Sequence, residues 1–301
     1  MDKLAGKVAI VTGGGRGLGR ATALAFAEAG AAVMVVARSI QEIDETVALI
    51  KAAGGRAAAC QADVTNLADL RKMLEVTEAE LGPPTVLMNN AGGGVEGAMG
   101  NFETIDPDKI DAGLQLNLVA AMKLTRLVLP GMLARGAGCI INVASGAAML
   151  GMPYMGPYNV GKTGLVRFSE MLALELQGRG VTVFSITPGN VLTKLTEPLY
   201  PARDQLTAAP PPGFPWVFPP GHALDGDHGW YPAERGAGLC RFLASGKADA
   251  LTGRFFSVHY DENEMVAQAE RVVREELYTL RVPTLHGLEP AIYYKHPDKP
   301  A

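Results

Sequence analysis

The sequence predicts an α/β protein built on a doubly wound parallel sheet of about seven strands, with helices on both faces. Three observations carry this. Short β-branched runs alternate with helical patterns through the first two-thirds of the chain, and each run is apolar at nearly every position, not at every second one. That is the composition of strands buried on both faces. The third observation is a glycine-rich turn between the first run and the first helix, where such sheets place a phosphate-binding loop.

The elements follow in order. Lys7–Thr12 (KVAIVT), Ala32–Ala37 (AVMVVA), Ala57–Gln61 and Thr85–Met88 read as four strands. Between them lie helices over Gly17–Ala29, Ile40–Ala53 and Leu67–Leu81, stopped by Gly30, Gly54-Gly55 and Gly82-Pro83-Pro84. A long helix is expected within Asp108–Arg135, broken or bent near Pro130. Cys139–Val143 (CIINV) is a fifth strand. The helix after it carries Tyr158, Lys162, Leu165, Phe168, Leu172 and Leu176. Val181–Ile186 is a sixth strand, Pro232–Ala244 a helix, and Arg254–Val258 a seventh strand. Right-handed crossovers join these strands into one sheet.

Between Asn190 and Pro232 the composition changes. Nine of the 20 prolines fall there, together with Phe214, Trp216, Phe218, Trp230 and Tyr231. A patternless segment of this length is either functional or disordered. Its aromatics favour a lid that packs on something, with an ordered surface loop as the alternative. Residues 1–260 thus read as one nucleotide-binding domain with 190–232 inserted in it. Residues 261–301 read as an extension, an amphipathic helix over Glu264–Leu280 and then a proline-containing tail.

Composition narrows the function. The chain has 301 residues, 48% of them hydrophobic, and a net charge of −4. With no lysine/arginine-rich run, nucleic acid is not an expected partner. The apolar stretches are short and interrupted, so no membrane span is expected, and Met1–Lys7 leads straight into a strand with no signal-peptide core. Three widely separated cysteines (Cys60, Cys139, Cys240) fit buried reduced thiols, and five histidines show no ligand spacing, so no metal is expected. These features together predict a cytoplasmic protein.

The chemistry-bearing residues are concentrated in a few motifs. Thr12-Gly13-Gly14-Gly15-Arg16-Gly17-Leu18-Gly19 fits G-x-x-x-G-x-G through Gly13, Gly17 and Gly19. Its glycines let backbone N–H groups approach a pyrophosphate at a helix N-terminus. The second strand ends Val36-Ala37-Arg38-Ser39, without the acid that accepts from an adenosine 2′-hydroxyl. Arg38, with Arg16 in the loop, suits a 2′-phosphate, so NADP(H) is favoured over NAD(H); a solvated helix-start arginine is the alternative. Tyr158 and Lys162 are four apart and share a helix face. A nearby ammonium favours a phenolate, so Lys162 is expected to lower the Tyr158 pKa. A serine hydroxyl at Ser145 can hold a carbonyl or alcohol oxygen. Together these make an acid–base device for alcohol/ketone interconversion.

With these motifs in order, residues 4–260 resemble the single-domain short-chain dehydrogenases/reductases, a family with a Rossmann-type fold. Further matches are Asp63-Val64, Asn89-Asn90-Ala91-Gly92, Asn117 and Pro188-Gly189-x-Val191-x-Thr193. The resemblance implies Tyr158 as proton donor or base and Lys162 as its partner and a ribose ligand. It implies Ser145 as holder of the substrate oxygen and Asn117 as holder of a relay water. Gly13, Gly15, Arg16, Gly17, Leu18, Gly19, Arg38 and Ser39 would line the phosphates and adenosine. Asp63 and Val64 would meet the adenine, and Asn90, Ala91 and Gly92 the cofactor's flank. Pro188, Gly189, Val191 and Thr193 would meet the nicotinamide end. The resemblance also implies a homo-oligomer, a tetramer or dimer built on the helices of Asn117 and Tyr158.

Two departures stand out. His259-Tyr260-Asp261-Glu262 replaces the closing Gly-Gly pair of many relatives, and Gly93-Gly94 would widen or loosen the pocket. The expected pocket wall includes Gly94, Val95, Ala147, Met152, Met155, Leu192 and Trp216, mostly apolar. A small, weakly polar ketone or secondary alcohol therefore fits best. Enoyl reduction, dehydration or epimerisation on the same scaffold stays open. A non-catalytic dinucleotide sensor is disfavoured by the intact Ser145, Tyr158 and Lys162.

Overall fold

A computed structural model describes residues 3–191 and 231–281. Seven parallel strands, β1 (Val8–Thr12), β2 (Ala32–Ala37), β3 (Arg56–Gln61), β4 (Val86–Asn89), β5 (Gly138–Val143), β6 (Val181–Thr187) and β7 (Phe255–Ser257), form one sheet in the order β3-β2-β1-β4-β5-β6-β7. The order reverses beside β1, which opens a crevice at the carboxyl ends of β1 and β4.

The all-apolar strands have a simple consequence. Successive side chains point to opposite faces, so each strand feeds two cores. Ala9 and Val11, Val33 and Val35, Met88, Ile141, Phe184 and Ile186 pack on one face. They meet helices α1 (Gly17–Glu28) and α2 (Ile40–Ala52), with Phe26 and Ile43 fully buried. Val8 and Ile10, Met34, Leu87, Ile140 and Val183 pack on the other, against α3 (Leu67–Glu80) through Leu70 and Met73. Cys60, Cys139 and Cys240 are free and buried; burial pushes the thiols of Cys139 and Cys240 up to about 12.

The long helix differs from expectation. It comprises α4 (Pro107–Leu114), a π-helical turn (Gln115–Val119) and α5 (Ala120–Arg135). Pro130 lies within α5, and the irregularity falls several turns before it. By length and composition Pro107–Arg135 would suffice to cross a membrane. Here its Leu124, Val128 and Met132 cover the sheet instead. The next helix, α6 (Gly156–Glu175), crosses it closely. A Cβ at Gly113 would lie 2.7 Å from Pro157, one at Gly161 3.0 Å from Asn117 and one at Gly164 2.9 Å from Leu118.

After α7 (Ala233–Ala244) and β7 the chain forms two short helices, α8 (Glu262–Ala267) and α9 (Ala269–Arg274), in place of one. Met265 and Val272, seven apart, still bury on the core. Helix ends soon after, because Glu276 and Tyr278 adopt left-handed φ of 52° and 57°. The Tyr278 carbonyl accepts from Phe255 N–H at 2.9 Å, covering part of the outer edge of β7. Glu170 of α6, 8% exposed, holds Arg167 at 2.5 Å and Arg281 at 2.6 Å. We expect Glu170→Ala to destabilise the fold by about 2–3 kcal/mol in urea unfolding. This is the lower side of a broken buried pair, because the arginines can regain water. A change below about 0.5 kcal/mol would show that the tail is not latched there.

Candidate active site

The glycine turn after β1 is fixed from both sides. Thr12 Oγ1 accepts from the N–H groups of Asn90 and Ala91, both at 3.0 Å, and Asn90 Nδ2 donates to Thr12 O at 2.8 Å. Behind the turn Thr46 Oγ1 donates to Gly14 O, and Arg20 Nε to Gly15 O at 2.8 Å. Gly17 has φ +51°, and a Cβ on Gly19 would lie 2.1 Å from Gly13 O, so neither tolerates a side chain. Helices α2, α3 and α4 carry side-chain caps from Ser39, Asn66 and Asp106, whereas α1 has none at Arg16. Its leading N–H groups are left for an anion.

Beyond the end of β2, Arg38, Gln61, Ala62, Asp63 and Asp69 line a polar cavity of about 370 Å³. Asp63 accepts from Thr65 N–H and Thr65 Oγ1. Burial pushes its carboxyl up, yet those bonds and Arg38 outweigh it and keep the carboxyl below its ordinary range. Val64 is buried beside it. Arg16 and Arg38 are both exposed, but Arg16 stands 3.7 Å from Glu42.

Four residues predicted to be catalytic, Asn117, Ser145, Tyr158 and Lys162, gather beyond the carboxyl ends of the central strands. Asn117 sits in the π-helical turn, 2% exposed. Its Oδ1 accepts from Gly93 N–H at 2.9 Å, and its Nδ2 donates to Gly93 O at 2.8 Å and Gly113 O at 3.0 Å. Of the two extra glycines, Gly93 is therefore pinned through both its N–H and its carbonyl. A Cβ on Gly92 would meet Lys162 Nζ at 2.9 Å and Asn117 Oδ1 at 3.0 Å, so these groups border one small space. Lys162, 4% exposed, donates to Val143 O at 2.7 Å, and burial pushes its ammonium down to about 8.

Tyr158 overturns one expectation. Burial pushes its phenol up, and a hydrogen bond with Ser145 pulls the other way. Lys162 Nζ lies 5.8 Å from the ring centroid, with one of its three N–H groups given to Val143 O, and does not offset that burial. Desolvation wins over the distant ammonium.

Pro188 and Gly189 follow β6. Gly236 of α7 leaves room there: a Cβ would lie 2.8 Å from Leu18 and 3.1 Å from Pro188. Val191 pairs with Tyr231 in an isolated parallel bridge. Of the pocket wall, Ala147 is buried, Met152 and Met155 are half-buried, and Gly94 is exposed beside Val95. Leu192, Thr193 and Trp216 lie outside the described residues. Contacts not anticipated from the sequence are those of Asn159 and Thr163 to the turn after Ser145, and a buried relay from Thr125 and Asn89 through Asn142 to Ser169. Asparagines inside apolar strands Val86–Asn89 and Gly138–Val143 were the available signal for the latter.

A glycine turn at an uncapped helix start, with Ser145, Tyr158 and a buried Lys162 near the strand ends, is an arrangement that suits a nucleotide-dependent oxidoreductase. Residues 7–204 match the family model described as short chain dehydrogenase, and the chain belongs to the short-chain dehydrogenase/reductase family. It is an NAD(P)-binding enzyme of that family acting on CH–OH groups. It is 39% identical over 191 residues to the ketoacyl reductase HetN of a Nostoc species, 64% of this chain and 66% of that protein. It is 36% identical over 260 residues to the 3-oxoacyl-(acyl-carrier-protein) reductase of a Synechocystis species, 86% and 97% of the two chains. Among solved structures, a gluconate 5-dehydrogenase from Burkholderia cenocepacia in complex with NADP and tartrate superposes with a TM-score of 0.72 at 27% identity, over 85% of this chain and 94% of that one. A single-residue variant of actinorhodin polyketide ketoreductase with NADPH does so with a TM-score of 0.72 at 28% identity, over 84% and 95%.

Proposed function

We propose that this enzyme interconverts a ketone or aldehyde and an alcohol on a small, mostly apolar substrate, with NADP(H) preferred over NAD(H). The observation that carries the reading is that Lys162 Nζ and Asn117 Oδ1 border one small space beside Gly92, with Lys162 5.8 Å from the ring of Tyr158, whose phenol Ser145 favours ionising. The dinucleotide supplies or accepts the hydride. The protein residues handle the oxygen and its proton. Ser145 holds the substrate oxygen and Tyr158 Oη gives or takes the proton, which supplies about 10²–10⁴-fold. Lys162 and Asn117 border the ribose position beside Gly92. Gly13, Gly15, Gly17 and Gly19 with Arg16 and Leu18 take the pyrophosphate. Arg38 and Ser39 take the 2′-phosphate, Asp63 and Val64 the adenine, and Asn90 and Ala91 the flank. Pro188, Gly189, Val191 and Thr193 take the carboxamide end. NADP and NADPH in the two solved neighbours support the cofactor preference.

Reaction on an alkene would have no use for a serine hydroxyl paired to the tyrosine, so carbonyl chemistry is preferred over enoyl reduction. We read residues 1–260 as the catalytic unit, with 190–232 as an insertion in its sequence, nearly all of it outside the described residues, and 261–301 as an extension. Exposed Met122, Val160, Met171 and Leu174 on α5 and α6 support a homo-oligomer formed through those helices. A panel of apolar ketones assayed by NADPH absorbance should show turnover of at least one, faster than with NADH. Consumption of NADPH only with enones, with saturated product, would replace the reading with enoyl reduction.

A further inference from the structure

Asn159 sits beside Tyr158 in sequence but about 100° around the helix, and so faces a different neighbour. That neighbour is the 3-10 turn Gly146–Met149 following Ser145. Asn159 Nδ2 donates to Ala147 O and, at 2.8 Å, to Leu150 O, which uses both of its protons. Thr163, one turn further on, places its hydroxyl 3.2 Å from Ala148 O and 2.9 Å from Asn159 O, sharing one proton. Three carbonyls of the turn are thus held by one face of α6. Tyr158 and Lys162 occupy the adjoining face at the same spacing of four.

The consequence passes through a single residue. Ala147 gives its carbonyl to Asn159 and its N–H to Ser145 Oγ at 3.2 Å. With Ala147 N–H on one lone pair of Oγ, the hydroxyl is oriented and its proton is left for Tyr158 Oη or the substrate oxygen. Resting on the proton-transfer reading above, we propose that Asn159 is a positioning residue for Ser145. Through Ala147 it fixes the serine hydroxyl to the helix that carries the acid–base tyrosine, with Thr163 as its support. Asn159 touches neither substrate nor cofactor in this role.

The test is a cycle of full-length variants: Asn159→Ala, Ser145→Ala, both together, Thr163→Val and Tyr158→Phe. One readout needs no substrate: the Tyr158 phenol titration at about 295 nm, the phenolate absorbance, taken as the difference from Tyr158→Phe. Losing an oriented Ser145 bond to the phenolate should move the midpoint up by about half a pH unit or more in Asn159→Ala. The second readout is NADPH-dependent reduction of ethyl 3-oxobutanoate or cyclohexanone, where kcat should fall about tenfold and NADPH affinity stay within about threefold. In the Ser145→Ala background Asn159→Ala should change neither quantity further. An Asn159→Ala midpoint equal to wild type, or effects that multiply with those of Ser145→Ala, would overturn the proposal. Should Asn159→Ala fail to fold, Thr163→Val decides by the same midpoint, expected to move upward by less. If Tyr158→Phe turns over like wild type, the proton-transfer reading itself has failed. If Tyr158→Phe is inactive and the midpoint does not move, only the role of Asn159 is refuted.

Discussion

Tyr158→Phe is expected to lower kcat for ketone reduction by about 10²–10⁴-fold while NADPH affinity changes by less than about threefold. The ring and its packing survive the change, and only the phenolic oxygen is lost. The direction of the phenol shift adds a pH signature. Burial holds the proton on Tyr158 to higher pH than in water, so at neutral pH the acid needed for reduction is already present. Alcohol oxidation needs the phenolate and should accelerate as pH rises towards the raised midpoint. Lys162 works against this at the top of the range. Its own burial brings it down to about 8, and above that it loses the charge that favours a phenolate. Steady-state rates in both directions between about pH 6 and 10, spanning both groups, with fluorescence titration of NADPH, measure all of this. Wild-type kcat in the variant would remove Tyr158 from the mechanism.

The parts of this site that could be read in advance are those where backbone geometry restricts residue type. Gly17 and Gly19 are dictated by a positive φ and by a carbonyl 2.1 Å from a would-be Cβ, so they stand out in any sequence. The strands were legible because both faces of each are buried, which leaves no polar position to blur the run. Asn117 was visible through the family resemblance, but its bonds were not. Its partners Gly93 and Gly113 are backbone groups, and the π-helical turn that presents it depends on the crossing of α4–α5 with α6 at Gly161 and Gly164. Pro130 misled because a proline interior to a helix usually marks the bend, whereas the irregularity falls at Gln115–Val119, where Gly161 and Gly164 of α6 pack on Asn117 and Leu118. The phenol shift was misjudged for a related reason. Spacing of four places Lys162 near Tyr158, but spacing says nothing of desolvation or of the Val143 carbonyl that accepts a hydrogen bond from the ammonium. Asn159 escaped notice because a polar residue near a helix start is usually solvated, and its use depends on a turn folded onto it.

The other large effect is expected at Arg38. Arg38→Ala should weaken NADPH binding about 10–100-fold and leave NADH within about threefold, measured by fluorescence titration at fixed salt. The 2′-phosphate is the only group that separates the two cofactors, and it carries close to two charges near neutral pH. Arg38 stands at the end of β2, where an acid would instead accept from a 2′-hydroxyl, and it lines the polar cavity with Gln61 and Asp63. Asp63 does not compete for it fully, since the Asp63 carboxylate already accepts twice from Thr65. Asp69 is engaged by Asp63 N–H at 2.9 Å. Arg16 differs: it faces Glu42 at 3.7 Å, and a phosphate drawing it away must compete with that carboxylate. Arg16→Ala should therefore cost NADPH affinity only about threefold. Both arginines are exposed, so the discrimination should shrink as salt rises from low to about 0.5 M. Equal weakening of NADH and NADPH in Arg38→Ala would mean that the guanidinium contacts the shared adenosine and not the 2′-phosphate, and the NADP(H) preference would then lose its structural basis.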